Sequence, residues 1–271
     1  MDTGWRAGFC AGKAGRLHNV DFGGWGRTIL ALHGVTGNAF LWQGFAEALR
    51  EDFRVVALDF RGHGKSDWSE SQAYSTADYV DDLQAVLDHL EAGPVILAGA
   101  SWGALAALSY SIQFPKRVTE LLIVDVEPSF AASPDDVHPR PAEFDSFADV
   151  LAWERQANPH APEDALKAFA MGSVHNVDGK YRRRHDPFFF SHWPFRADDR
   201  WAELRQLATP TLIVRGAQSF VQAQVCQRMA QACRQARLVE VAESGHLVPL
   251  EQPLVLAHAA KRFLEEAPTL D

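Results

Sequence analysis

Residues 94–107 (PVILAGASWGALAA) constrain the fold most, because they join two kinds of secondary structure through a very short turn. The apolar run before Gly99 predicts a strand, and the Ala/Leu-rich residues after Gly103 predict a helix. A G-x-S-x-G turn between a strand and a helix is so sharp that it strains the serine backbone and leaves room only for small residues two places away. Because such a turn lifts the serine hydroxyl out of the sheet edge, we predict that Ser101 is a nucleophile.

Most of the remaining chain alternates short apolar runs with amphipathic helix patterns. Apolar runs without polar alternation are typical of strands buried on both faces of a sheet. Helices between such strands indicate a parallel, doubly wound arrangement whose active site lies at the carboxyl ends of the strands. The sequence therefore predicts an α/β fold with a mostly parallel sheet of about eight strands. The main runs are residues 28–32, 53–58, 94–98, 121–124, 210–214 and 236–241.

The alternation is interrupted between residues 127 and 207. Proline, aspartate and aromatic residues cluster there, and helix patterns such as residues 144–157 appear without strands between them. We interpret residues 127–207 as an inserted helical cap. The core domain then consists of residues 1–126 and 208–271.

Composition narrows the classes of partner. The chain has 271 residues and a net charge of −9, which argues against nucleic acid or an anionic membrane as a partner. Its first residues are typical of neither a signal peptide nor a transit peptide, no apolar run reaches membrane-spanning length, and the three cysteines fit a reducing compartment. No metal-ligand spacing or nucleotide-binding glycine pattern is present. We expect a cytoplasmic protein, a monomer or homodimer, that takes a small-molecule substrate and needs no cofactor or metal.

Four segments of the chain resemble the α/β-hydrolase fold superfamily, and within it the capped serine hydrolases. They are residues 33–37 (HGVTG), residues 59–66 (DFRGHGKS), the turn at Ser101, and Gly245 with His246 near the end. The resemblance covers nearly the whole chain. It implies that His246 is the catalytic base and that the backbone amides of Val35 and Trp102 form the oxyanion hole.

These implied roles have physical reasons. A serine hydroxyl is a poor nucleophile at neutral pH, so a base such as imidazole must take its proton during attack. The tetrahedral intermediate carries negative charge on the former carbonyl oxygen, and two preorganised amides stabilise that charge. Because only backbone amides are needed there, the side chains of Val35 and Trp102 are expected to shape the acyl pocket instead.

In serine hydrolases an acidic residue orients the catalytic histidine and completes a triad with it and the serine. The position of this acid departs from the usual pattern here. In most relatives it is an aspartate in the loop after the strand at residues 210–214, but this loop reads GAQSF and places Phe220 where the aspartate is expected. In some relatives the acid lies at the end of the strand that follows the helix after the G-x-S-x-G turn. In this chain that position is Asp125. We predict a triad of Ser101, His246 and Asp125, with Glu127 as the alternative acid. One further alternative remains open: Asp125 is only a structural residue, and the site has no acid as its third member.

The insertion contains two unusual segments. Residues 181–186 (YRRRHD) are the one dense basic run, which favours a solvated face, although an arginine such as Arg183 could hold a substrate carboxylate. Residues 188–195 are so aromatic that they suggest either the core of the cap or a pocket lining for an apolar substrate. The histidines of the motif loops, His33 and His63, are expected to tie those loops together. Candidate substrate-binding residues are Phe189, His192, Trp193, Phe220 and Arg183.

The function that these features favour is hydrolysis of a carboxylic ester or lactone of a small, fairly apolar compound through an acyl-enzyme intermediate. Two alternatives stay open. One is carbon–carbon bond hydrolysis of a dienoic diketone acid, as in similar capped relatives. The other is a ligand-binding receptor that turns its ligand over slowly or not at all. Because one fold hosts many chemistries, the substrate cannot be transferred by analogy.

Overall fold

The computed structural model describes residues 4–129 and 140–266, which contain a large sheet flanked by helices and a small second sheet. The strands are β1 (Arg6–Gly12), β2 (Gly15–Asp21), β3 (Thr28–Leu32), β4 (Arg54–Leu58), β5 (Val95–Ala100), β6 (Val118–Val124), β7 (Glu143–Phe144), β8 (Val174–Val177), β9 (Lys180–Arg183), β10 (Thr211–Gly216) and β11 (Ala236–Val241). The α-helices are α1 (Gln43–Leu49), α2 (Thr76–His89), α3 (Trp102–Gln113), α4 (Phe147–Ala157), α5 (Glu163–Ser173), α6 (Trp201–Gln206), α7 (Ala223–Ala232), α8 (Val248–Glu251) and α9 (Pro253–Glu266).

The large sheet has eight strands in the order β1-β2-β4-β3-β5-β6-β10-β11. The pairs β1–β2 and β2–β4 are antiparallel, and the pairs from β4 to β11 are parallel. The prediction of a mostly parallel sheet of about eight strands is confirmed. In this order β5 lies between β3 and β6, and β10 follows β6, so the loops after these strands meet at one edge.

The central strands are buried on both faces, as their continuous apolar runs predict. In β3, Leu30 and Leu32 pack with α2, α3 and α7 in one hydrophobic cluster, whereas Ile29 and Ala31 pack with α1 and α9 in a second cluster on the other face. Successive strand residues point to opposite faces, so each run contributes to both layers. The sheet is therefore doubly wound, with helices on each side.

Between β6 and β10 the chain leaves the large sheet. Helix α4 starts behind Ser146, whose hydroxyl and the Asp149 carboxylate form a capping box, and α5 follows. The strands β7, β9 and β8 form an antiparallel sheet in that order, and β8 and β9 lie between α5 and α6, so the insertion is not built of helices alone. These strands have two to four residues and carry several charges, so they lack the apolar run that identifies a strand in sequence.

The boundaries at residues 127 and 207 stay a prediction. Residues 130–139 of the proposed insertion, and residues 1–3 and 267–271 of the proposed core, lie outside the described ranges. In the ranges that are described, no helix combines the length and the apolar character needed to cross a bilayer. Cys226, on α7, and Cys233, just after it, are free and buried.

The insertion covers the carboxyl ends of the central strands. After β3, the side-chain amide of Asn38 donates to the Phe169 carbonyl oxygen at 3.1 Å and to Ser173 Oγ at 2.9 Å, both on α5. After β4, the Gly62 carbonyl oxygen accepts a hydrogen bond of 2.8 Å from the Asp186 amide. The end of β5, where Ser101 lies, is therefore beneath the insertion.

Candidate active site

Ser101 occupies the tight turn between β5 and α3. Its backbone has φ 53° and ψ −128°, a left-handed conformation that a non-glycine residue adopts at a cost. A Cβ atom on Gly99 would lie 2.5 Å from the Ala104 Cα, and one on Gly103 would lie 2.5 Å from the His33 carbonyl oxygen. Both positions therefore require glycine, as the motif predicts. The tight turn therefore holds Ser101 in a backbone conformation that serine does not favour, and this fixes the position of its side chain.

The loop after β3 lies directly against Ser101. A Cβ atom on Gly34 would approach the Ser101 Cβ to 2.7 Å, so glycine at this position lets the loop backbone touch the serine. Val35 follows in the chain, and Trp102 is the first residue of α3, where a backbone N–H has no acceptor within the helix. Among the hydrogen bonds of the described residues, none is donated by either amide. The role of these two amides as an oxyanion hole stays a prediction.

Two buried histidines fix this loop. His33 Nδ1 donates to the Gly34 carbonyl oxygen at 2.6 Å and His33 Nε2 accepts from the Phe60 amide at 3.1 Å. His63 Nε2 accepts from the Thr36 amide at 3.0 Å. Burial lowers the pKa of His33, and burial lowers the pKa of His63 well below its usual value, so both rings are neutral and can accept. The two rings tie the loop after β3 to the loop after β4, in agreement with the role expected for them.

His246 and Asp125 meet at the same sheet edge. His246 follows β11, and its Nδ1 donates to Asp125 Oδ2 at 2.7 Å. Asp125 directly follows β6, is 1% exposed, and has φ 50°, while its amide donates to the Val214 carbonyl oxygen of β10 at 2.8 Å. A buried carboxylate on Nδ1 fixes the tautomer in which Nε2 is free to accept a proton.

The loop after β10 brings a phenyl ring rather than a carboxylate to the histidine. Phe220 is 71% exposed, and its ring centroid lies 4.5 Å from that of His246. Glu127, the alternative acid, accepts a 3.5 Å hydrogen bond from the Gln222 amide, and among the described residues no hydrogen bond or ion pair joins it to His246. The structure thus brings His246 together with Asp125 and with Phe220, but not with Glu127.

No hydrogen bond joins Ser101 to His246 in the part of the chain that the structure describes. In unliganded hydrolases this contact often tightens only when substrate binds. The arrangement therefore contains a fixed His–Asp pair and a separately fixed serine on neighbouring loops.

The candidate substrate-binding residues of the insertion have different surroundings. Phe189 is buried against Tyr74, His63 and Trp102. Trp193 is half-buried and donates from Nε1 to the Phe189 carbonyl oxygen at 2.9 Å, whereas His192 lies at the surface and stacks on Phe188. The aromatic segment is therefore mainly packing between the insertion and the sheet edge, and contact of these residues with substrate stays a prediction.

Arg183 belongs to the interior of the insertion. Its Nη1 donates to Glu154 Oε1 at 2.6 Å, and its guanidinium packs over the rings of Phe144 and Trp153. Within the basic run, Arg182 is exposed and Arg183 is buried, as neighbouring residues of a strand must be. The expected solvated face therefore holds for Arg182 only.

Two supporting residues were not anticipated from the sequence. Ser219 donates from Oγ to Asp125 Oδ2. Thr76, at the start of α2, accepts from Trp102 Nε1 at 2.8 Å and donates to Asp198 of the insertion. No sequence signal marks either contact, since lone hydroxyl residues in turns and caps are common. In the described ranges, no group of three or more histidine, cysteine or acidic residues is arranged to hold a metal ion.

The chain belongs to the α/β hydrolase fold family, whose model matches residues 27–253. It is similar to an esterase of Mycobacterium tuberculosis, with 29% identity over 93% of this chain and 88% of that protein. It is also similar to a 3-hydroxybutyrate-oligomer hydrolase of Cupriavidus necator, with 28% identity over 97% and 99% of the two chains. Among solved structures, an E-2-(acetamidomethylene)succinate hydrolase matches with a TM-score of 0.88 at 25% identity, covering 96% of this chain and 99% of that one. The family and fold expected from the sequence are confirmed.

Proposed function

We propose that the protein is a serine hydrolase that cleaves a carboxylic ester or lactone of a small, fairly apolar compound. The observation that carries this proposal is the strained Ser101 just before α3 together with the hydrogen bond between His246 and the buried Asp125 on the adjoining loops. Its relatives include an esterase and a 3-hydroxybutyrate-oligomer hydrolase, which supports hydrolytic chemistry on this fold.

In the proposed first half-reaction, Ser101 Oγ attacks the acyl carbonyl carbon while His246 Nε2 takes the hydroxyl proton. The carbonyl π electrons move to the oxygen, which is bound by the amides of Val35 and Trp102. Each such donor contributes about 3 kcal/mol in hydrolases of this kind. When the carbonyl re-forms, the alcohol leaves with the proton from His246, and an acyl group remains on Ser101.

In the second half-reaction a water molecule attacks the acyl-enzyme, with His246 again acting as base. The carboxylic acid leaves, and Ser101 regains its proton from His246. Asp125 accepts the Nδ1–H of His246 throughout and stabilises the imidazolium without itself taking the proton. Burial of Asp125 strengthens this interaction, because little water screens it.

The surroundings of the serine support an apolar acyl group. The indole of Trp102 packs against the rings of Tyr79 and Phe195, with ring centroids 4.3 Å and 5.1 Å away, and meets the ring of Phe189 edge-on at 6.1 Å. Phe220 adds an exposed apolar surface beside His246. The one arginine expected to hold a substrate carboxylate is paired with Glu154, which gives carbon–carbon hydrolysis of a diketone acid no support.

The test is covalent labelling of the folded protein with a fluorophosphonate, followed by intact-mass analysis and peptide mapping. We expect one adduct, on Ser101, and hydrolysis of p-nitrophenyl acetate and butyrate that Ser101→Ala abolishes. Ser111→Ala is the matched control, because Ser111 is buried on the same helix and its hydroxyl donates to the Ala107 carbonyl oxygen at 2.7 Å. This variant should keep both labelling and turnover.

If folded wild-type protein neither reacts with the fluorophosphonate nor hydrolyses the two esters, the proposal of a serine hydrolase is rejected. The remaining interpretation would then be a ligand-binding protein on the same fold, and tight ligand binding without turnover would establish it.

A further inference from the structure

The carboxylate of Asp125 has three hydrogen-bond donors. Oδ1 accepts from the Gly216 amide at 2.8 Å, and Oδ2 accepts both from His246 Nδ1 at 2.7 Å and from Ser219 Oγ. Two of these three donors lie close together in the chain, because Gly216 is the last residue of β10 and Ser219 belongs to the loop that follows it. The loop that lacks the usual acid therefore still takes part in holding the acid that replaces it.

Ser219 is itself held in place. Its Oγ accepts from the Val221 amide at 3.1 Å, so the hydroxyl proton is directed to Asp125 rather than to solvent. Arg215 fixes the turn from below, donating from Nε to the Val221 carbonyl oxygen at 2.6 Å and from Nη2 to the Ser219 carbonyl oxygen at 3.4 Å. Glu240 on β11 in turn accepts from Arg215 Nη1 at 2.7 Å.

We propose that Ser219 is a positioning residue of the reaction, acting through Asp125. The inference rests on the proposed function. With Ser219 and Gly216 on opposite oxygens, the carboxylate plane is fixed about its terminal torsion, which is otherwise broad. Oδ2 then stays in line with His246 Nδ1, and the ring stays oriented for transfer at Nε2. Without the Ser219 hydroxyl, only the Gly216 amide and the histidine itself restrain that plane.

The experiment compares three variants with the wild type. Ser219→Ala removes the donor, and Ser219→Thr keeps a hydroxyl at the same atom position. Ser109→Ala is the matched control, since Ser109 Oγ also donates to a carboxylate, Glu203 Oε2 at 2.7 Å, but on the far part of α3. Each variant is measured for kcat and KM on p-nitrophenyl butyrate, for the rate constant of fluorophosphonate labelling, and for its thermal midpoint.

We expect Ser219→Ala to lower kcat and the labelling rate by about tenfold, the effect of one hydrogen bond to a charged group, with KM unchanged. Ser219→Thr should restore most of the loss, and Ser109→Ala should leave both rates within about twofold. A loss of thermal stability without a change in kcat, or an equal loss in the alanine and threonine variants, would overturn the proposal.

A second readout does not depend on hydrolysis. The proton on His246 Nδ1 should give a low-field proton NMR resonance, identified by its loss in His246→Gln. Ser219→Ala should shift or broaden this resonance and Ser219→Thr should restore it, even if the wild type proves to hydrolyse no ester. In that case the proposed function fails and the positioning role stands, whereas an unchanged resonance in Ser219→Ala overturns the positioning role alone.

Discussion

Two loops approach His246, one after β6 and one after β10, and they differ in what they bring to its imidazole ring. The loop after β6 provides Asp125, which is buried and held at a left-handed backbone conformation. The last residue of β10 and the loop after it provide no carboxylate; they contribute the Gly216 amide, the Ser219 hydroxyl and the exposed ring of Phe220.

This difference follows from the sheet. In the register of the two strands Val124 is paired with Val214, so the carboxyl ends of β6 and β10 lie side by side. We therefore expect a carboxylate on the loop after either strand to reach the same imidazole. The acid can then move from one loop to the other while it keeps its contact with His246. The loop without the acid, here the one after β10, can carry a different side chain such as Phe220.

The largest effect is expected at Asp125. Asp125→Asn places an amide against Nδ1, favours the wrong tautomer of His246, and should lower kcat by about 10⁴-fold with little change in fold. Steady-state kinetics on p-nitrophenyl esters measure this. Glu127→Gln is the matched control on the same loop, and its kcat should stay within about twofold. Full activity in Asp125→Asn would show that Asp125 is not the acid of the site, and the comparison of the two loops would lose its basis.

Moving the acid between the loops gives a smaller effect. The ring of Phe220 already lies beside His246, so an aspartate at this position starts close to the imidazole. Relative to Asp125→Ala, the double variant Asp125→Ala/Phe220→Asp should regain about tenfold in kcat/KM, only part of the loss because the new carboxylate lacks the donors that fix Asp125. The single variant Phe220→Asp in the wild-type background serves as the control. No gain at all would mean that the two strand ends are not interchangeable.

The smallest effect is expected for the phenyl ring itself. Phe220→Ala leaves the His246–Asp125 bond in place and removes apolar surface at the mouth of the site, so KM for butyrate esters should rise about threefold with kcat nearly unchanged. Comparing acetate, butyrate and hexanoate esters would sharpen the result, because the effect should grow with chain length. A loss in kcat as large as that of Asp125→Asn would instead show that the Phe220 ring is needed for proton transfer by His246.

Much of this arrangement can be predicted from the sequence, because it depends on the order of the strands. Ser101 is marked by a strand, a turn that admits only small residues, and a helix. Asp125 is identified through the resemblance, since some relatives carry the acid at the end of this strand. Both residues lie at the carboxyl ends of strands, which repetition of apolar runs encodes strongly.

Other features depend on side-chain directions that no pattern records. The contact of Ser219 with Asp125 requires Arg215 to hold three carbonyl groups of one turn, those of Ala217, Ser219 and Val221. Likewise, the basic run in the insertion looks uniformly solvated until it is known to be a strand, when alternate residues must face inward and Arg183 finds Glu154. Local composition carries no information about such partners, which are far apart in the chain.

The hydrogen bonds around Trp102 bear on how a substrate enters. Its indole N–H is buried and has Thr76 as its acceptor, and Thr76 also holds Asp198 of the insertion. Lifting the insertion away from the sheet edge would break the contact with Asp198 and leave the buried Thr76 hydroxyl without its acceptor, which costs about 1–3 kcal/mol. Entry of a substrate by such a movement would therefore cost free energy at Thr76, the residue that holds the indole of Trp102. Substrate entry is thus linked to the position of the residue whose amide is proposed to stabilise the oxyanion.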